Sequence, residues 1–183
     1  TSVRRALGIP PFDHYDFKFF ENNYLYLLTD SFIFCFVRNP IDRFISLYNY
    51  AKMPKSYYHS TFDPLNSISQ AIHPYYDICS NKNIDQIAEL LLLDKLIDQN
   101  KPDYWNPQHS WLIKNDGSLA SINFIGKYEN IQEDYLRLCK ALNIIPEALE
   151  HLNKSTKYSN KINPSLIKEL EKYYKFDFEL FGY

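Results

Sequence analysis

Residues 32–37, "FIFCFV", are continuously apolar, which is the pattern of a short strand covered on both faces. The next stretch switches to a helical period. Ile41, Phe44, Ile45 and Tyr48 recur at i, i+3, i+4 and i+7, while Asp42, Ser46 and Asn49 fall on a more polar face. Asn39 suits the N-cap of that helix, Pro40 its first position and Asp42 its first turn. The same succession returns later. "SINFIG", 121–126, reads as a second strand, and Ile131, Tyr135, Leu138 and Leu142 mark a helix behind it. Asn130 and Glu133 have the spacing of a reciprocal N-terminal cap for this second helix.

Other segments are less regular. "TSVRRALG" reads as the inside of a helix that ends at Gly8, so residues 2–7 are its tail and a preceding segment is expected. A loop and then a short helix near 18–28 fill the interval before the first strand. Residues 52–82 carry Pro54, Pro64 and Pro74 among many Tyr and Ser, and predict an irregular, aromatic-rich insertion with one short helix. A helix is predicted over 84–98, loops over 100–118, and a last helix over 164–175 with Asn163 as cap and Pro164 first. Two strand-then-helix units predict an α/β fold, a three-layer parallel sheet with flanking helices in one domain over 1–183.

Composition narrows the function classes. The 183 residues are 45% hydrophobic and 23% charged, as in an ordinary soluble core. A formal net charge of −2 argues against nucleic acid as partner, because broad phosphate neutralisation needs a basic surface. Cys35, Cys79 and Cys139 are widely spaced and read as buried thiols. No run is long enough to span a membrane. No metal is expected, since the histidines are scattered and no carboxylates have ligand spacing. No sequence feature sets an oligomeric state.

Arg38 stands where the first strand meets its helix. In parallel α/β folds, ligands sit beyond the carboxyl ends of the strands, and a helix start there offers free N–H groups and a favourable dipole. An arginine fork with the Ser46 hydroxyl two turns on can clamp a phosphate. The competing reading pairs Arg38 with Asp42 or a neighbouring acid.

"FVRNPIDRFISLYNY", 36–50, resembles the 3′-phosphate-binding segment of sulfotransferases that use 3′-phosphoadenylyl sulfate (PAPS). It is most similar to the carbohydrate-type group with the chondroitin, dermatan and heparan 2-O enzymes and many bacterial members. "FIGKYENIQEDYLRLCKALNI" at 124–144, "LEHLNKST" at 149–156 and "YYKFDFELFGY" at 173–183 are similar too, in the right order. The resemblance implies a P-loop-like sulfotransferase fold, PAPS as sulfuryl donor and 3′,5′-ADP as product. It places the family's Arg and Ser on Arg38 and Ser46. Of the family's phosphosulfate loop, similar to "PKTAGTS", only Thr1 and Ser2 occur, and its Lys is absent, so an N-terminal strand and loop are expected to be missing. Lys154, Ser155, Lys157 and Tyr158 match a segment that often closes the cofactor site; a surface loop is the competing reading.

Sulfuryl transfer requires a base for the acceptor hydroxyl and positive partners for the sulfate and leaving phosphate oxygens. His14, in an interval where relatives often carry a histidine, is the first choice for the base, and His109 the second. Glu129, just past the second strand, is a further catalytic candidate or a support for the loop beneath the cofactor. Gln108, His109 and Trp111 fall in a segment that resembles the family's acceptor side, and Trp111 equally suits a core. Phe176, Phe178, Phe181 and Tyr183 read as packing.

The expected activity is sulfuryl transfer from PAPS to a hydroxyl of a carbohydrate acceptor. The alternatives are a different nucleotide-dependent phosphotransferase and a non-catalytic glycan-binding protein that keeps the fold. A bacterial chain of this kind belongs in the cytoplasm, a eukaryotic one with an upstream anchor in the Golgi lumen; the cytoplasm is favoured.

Overall fold

In chain order the elements are helix α1 (Phe17–Leu28), strand β1 (Phe34–Val37), helix α2 (Pro40–Ala51), strands β2 (Ser60–Thr61) and β3 (Ser69–Gln70), helices α3 (Tyr76–Asn81) and α4 (Ile84–Leu92), strand β4 (Phe124–Lys127), and helices α5 (Ile131–Ala141), α6 (Pro164–Tyr173) and α7 (Lys175–Phe181). This computed structural model describes residues 15–53, 73–97, 103–149 and 161–183, together with Leu7 and the backbone of 60–61 and 69–70. The helix tail expected over 2–7 lies outside them apart from Leu7.

β1 and β4 pair in parallel, Phe34 with Phe124 through Val37 with Lys127, and helices flank this small sheet. The fold is mixed α/β, as the alternation of elements predicts. The second strand begins later than "SINFIG" suggests. Asn123 brackets Ile33, its N–H donating to the Ile33 carbonyl and its Oδ1 accepting from the Ile33 N–H, both at 2.8 Å, so the ladder starts only after that turn. It then runs on to Lys127, one residue past Gly126.

Two apolar clusters hold the layers. On one, Tyr135, Leu138 and Cys139 of α5 pack with Phe34, Phe36 and Phe124 of the sheet. On the other, Phe44 and Tyr48 of α2 pack with Ile87 and Leu91 of α4, Leu170 of α6 and Trp105. Gly126 lies directly opposite Phe36. A Cβ there would stand 2.7 and 2.8 Å from two atoms of the Phe36 ring, so the strand needs glycine at this position.

Local signals decide the helix ends. Asn39 Oδ1 accepts from the N–H groups of Ile41 and Asp42, and Asn163 Oδ1 accepts from Ser165 N–H. α4 stops well short of residue 98. Asp94 takes a left-handed φ of 53°, and the N–H groups of Asp94 and Lys95 return to the Leu91 and Leu90 carbonyls. The reciprocal cap expected from Asn130 and Glu133 is not formed, because a 3-10 turn over Tyr128–Asn130 leads straight into α5. Asp134 reaches back instead and accepts from Lys127 N–H at 2.6 Å. The reciprocal cap occurs at Asn83 and Gln86, in front of α4.

Candidate active site

Arg38 and Asn39 occupy the step from the carboxyl end of β1 into α2, and residues from three distant segments fix that step. Gln108 uses both atoms of its side-chain amide on the main chain of Arg38. Its Oε1 accepts from Arg38 N–H at 2.9 Å and its Nε2 donates to the Arg38 carbonyl at 2.8 Å. Glu129, just beyond β4, accepts from Asn39 N–H at 2.7 Å through Oε1. Its Oε2 accepts from the Tyr183 hydroxyl at 2.8 Å. Lys127 completes this contact with the end of the chain, donating to the Gly182 carbonyl at 2.7 Å with its ammonium over the Tyr183 ring.

The Arg38 guanidinium lies over the Tyr128 ring, 4.6 Å from its centroid. Among the described residues it forms no ion pair, so the alternative pairing with Asp42 is not made. Ser46 is half-buried two turns along α2. The first amides of α2 are not free as the helix start suggested, since Asn39 already caps Ile41 and Asp42. Those N–H groups are therefore taken, and what the step offers to an anion is side chains and the helix dipole.

The carboxylates here stay ionised. Burial pushes the Glu129 carboxyl up, but hydrogen bonds from the Asn39 and Glu129 amides and the Tyr183 hydroxyl, with the Arg38 charge, bring it below its ordinary value. Burial and the bond to Glu129 push the Tyr183 phenol up.

His109 sits beside Gln108 on a 3-10 turn and belongs to a second, buried group. Asp177 of α7 is fully buried; its Oδ2 accepts from Gln108 N–H at 2.6 Å and its Oδ1 from His109 N–H at 2.8 Å. The same Oδ1 lies 2.7 Å from His109 Nδ1. Burial raises the Asp177 carboxyl, but the His109 ring and the two amides outweigh it and leave its pKa lowered. Phe176 meets the His109 ring edge-on at 4.7 Å. Trp111 is half-buried over Tyr104, with the ring planes 26° apart, whereas Trp105 fills the core.

The segment from Gln108 to Trp111 is thus joined to Arg38 by one side chain. Thr1, Ser2, His14, Lys154, Ser155, Lys157 and Tyr158 lie outside the described residues. Sequence reasoning passed over Asp177 and Tyr128. The signal for Asp177 was an acid set between Phe176 and Phe178 inside the aromatic run "YYKFDFELFGY". Tyr128 had no signal of its own. Among the described residues, no group of three or more His, Cys, Asp or Glu side chains is placed to hold a metal ion, and no helix is long and apolar enough to cross a membrane.

An arginine held at the carboxyl end of a parallel strand, beside a capped helix start, defines the class: an α/β protein with a built cationic site at its sheet edge. The family model described as "Sulfotransferase family" matches residues 13–183, so the chain belongs to the sulfotransferase family and carries the fold of an enzyme for sulfuryl transfer. No curated protein and no solved structure matches the chain significantly.

Proposed function

We propose that the protein transfers the sulfuryl group of PAPS to a hydroxyl of a carbohydrate acceptor, releasing 3′,5′-ADP. The observation that carries this reading is the Arg38 step. Its main chain is clamped by Gln108, the next residue's N–H by Glu129, and its guanidinium rests on Tyr128. A cation fixed in this way loses little freedom on meeting a phosphate, and its fork suits two phosphate oxygens. Arg38 and Ser46 are proposed to hold the 3′-phosphate.

When bound, PAPS supplies an activated sulfuryl group. The chain supplies position, charge and a proton acceptor. Thr1 and Ser2 are proposed at the phosphosulfate end, and Lys154, Ser155, Lys157 and Tyr158 at the closing edge of the nucleotide site. Gln108, His109 and Trp111 face the acceptor side. Glu129 holds the turn that carries Arg38. His14 is the candidate for the base that the sequence favours. The part-exposed rings of Tyr104 and Trp111 suit a sugar face, which supports a glycan acceptor.

Calorimetric titration with 3′,5′-ADP tests the reading. Tight binding by the wild type, at least tenfold weaker binding of 5′-AMP, and loss of that difference in Arg38→Ala are expected. Equal affinity for the two nucleotides in the wild type would refute the 3′-phosphate assignment.

A further inference from the structure

We infer that His109 is the proton acceptor for the acceptor hydroxyl and that Asp177 is its positioning residue, fixing both the tautomer and the place of the ring. The inference rests on the sulfuryl-transfer reading above and names the base within it.

Geometry sets the tautomer. The Asp177 carboxylate is fully buried and accepts from two main-chain N–H groups, those of Gln108 and His109. Having no proton of its own to offer, it requires that the hydrogen in the 2.7 Å contact come from His109 Nδ1. In the neutral ring, Nε2 then keeps its lone pair. The His109 side chain is 21% exposed and that of Asp177 0%, so the ring keeps contact with solvent while the carboxylate has none. The edge-on Phe176 ring restricts rotation.

Position is set by the same carboxylate. Asp177 holds the Gln108 N–H, and the Gln108 amide holds both main-chain groups of Arg38. His109 is therefore one residue from a direct contact with the residue proposed to bind the nucleotide. Glu129, the other described candidate, has one oxygen on Asn39 and the other on Tyr183. Both bonds favour its ionised form and would have to loosen for it to take a proton.

In the step itself, the acceptor hydroxyl proton passes to His109 Nε2 while its oxygen bonds to sulfur. The bond between sulfur and the donor's phosphate oxygen breaks, and the electron pair stays on that phosphate. The imidazolium so formed is stabilised by the ionised Asp177 and later releases its proton to solvent. Arg43 of α2 and Asp103 are the other charges around Asp177, with the neutral phenols of Tyr173 and Tyr174 beside them.

Long-range proton–nitrogen NMR of histidine-labelled protein reads the tautomer without turnover. Protonated Nδ1 and bare Nε2 are expected for the neutral His109 ring, with a shift toward the other tautomer in Asp177→Asn. Protonated Nε2 in the wild type would overturn the inference. Transfer from PAPS to desulfated chondroitin and heparan chains is followed in parallel, with release of 3′,5′-ADP to water as the readout if neither chain is sulfated. His109→Gln should lower kcat about 100-fold or more with 3′,5′-ADP affinity unchanged. Asp177→Glu should recover part of what Asp177→Asn loses. If Asp177→Asn does not fold, His109→Gln decides alone. Full kcat in His109→Gln with loss in His14→Gln would reject His109 as the base. Failure of Arg38→Ala to weaken 3′,5′-ADP would refute the nucleotide assignment instead, so the two failures are distinct.

Discussion

Glu129 accepts the main-chain N–H of Asn39 at 2.7 Å although the two residues are 90 positions apart. One carboxylate from the end of β4 thus fixes the turn that follows β1, and the two strand ends become one site. Replacing Glu129 by Ala should cost about 1 kcal/mol of stability, at the low end for a charged hydrogen bond because the side chain is exposed. The larger effect should fall on 3′,5′-ADP affinity, about tenfold or more weaker, with the far-ultraviolet circular dichroism unchanged. Wild-type affinity in the variant would separate the turn from nucleotide binding.

Arg38 and Arg43 are five residues apart and serve opposite ends. Arg43 is half-buried; it donates to the Asn106 carbonyl at 3.0 Å and to the Tyr104 carbonyl, and desolvation lowers its pKa against the opposing charges of Asp177 and Asp103. Arg43→Ala should destabilise the protein by about 1–3 kcal/mol, as loss of a charged donor that satisfies two main-chain carbonyls does. Arg38→Ala should leave the melting temperature within a degree or two of wild type. Denaturant unfolding of both variants tests the contrast, and equal losses would contradict it.

Gly126 is expected to tolerate no side chain. Gly126→Val should cost about 1–3 kcal/mol, because the Phe36 ring opposite would have to leave its packing against Phe124. Phe36→Ala should relieve the clash in the double variant while carrying its own cavity cost. A thermodynamic cycle over the two sites should show coupling of about 0.5 kcal/mol or more.

Acid should weaken the fold through Asp177. Its pKa is lowered in the folded state, so the folded form binds fewer protons than the unfolded chain around the ordinary aspartate value of about 3.9. The contribution to stability is complete above that value and is lost as pH falls through the lower folded value. Glu129 acts in the same direction. Thermal unfolding between pH 6 and about pH 2 should show a fall that is shallower in Asp177→Asn, since an amide does not titrate in this range. An equally steep fall in the variant would assign the acid sensitivity elsewhere.

What the sequence determined by itself is local. The apolar run before Arg38, the Asn39–Pro40 helix start and the stripe Ile41, Phe44, Ile45, Tyr48 encode β1 and α2 within twenty residues, because period and capping act over a few positions. The same holds for Asn163–Pro164 before α6. Where two local signals competed, spacing misled: Asn130 and Glu133 matched a cap, yet the 3-10 turn put Asp134 in reach of the Lys127 amide instead. Tertiary structure alone decided which polar groups meet. Gln108 finds Arg38 across 70 positions, His109 finds Asp177 across 68, and Glu129 finds Asn39 across 90. Those partners are set by how whole helix and sheet faces pack, a sum of many weak contacts that no short segment carries. The same packing turns the Arg43 guanidinium onto the Asn106 and Tyr104 carbonyls and leaves that of Arg38 over the Tyr128 ring, although α2 and its cap present both from one short stretch.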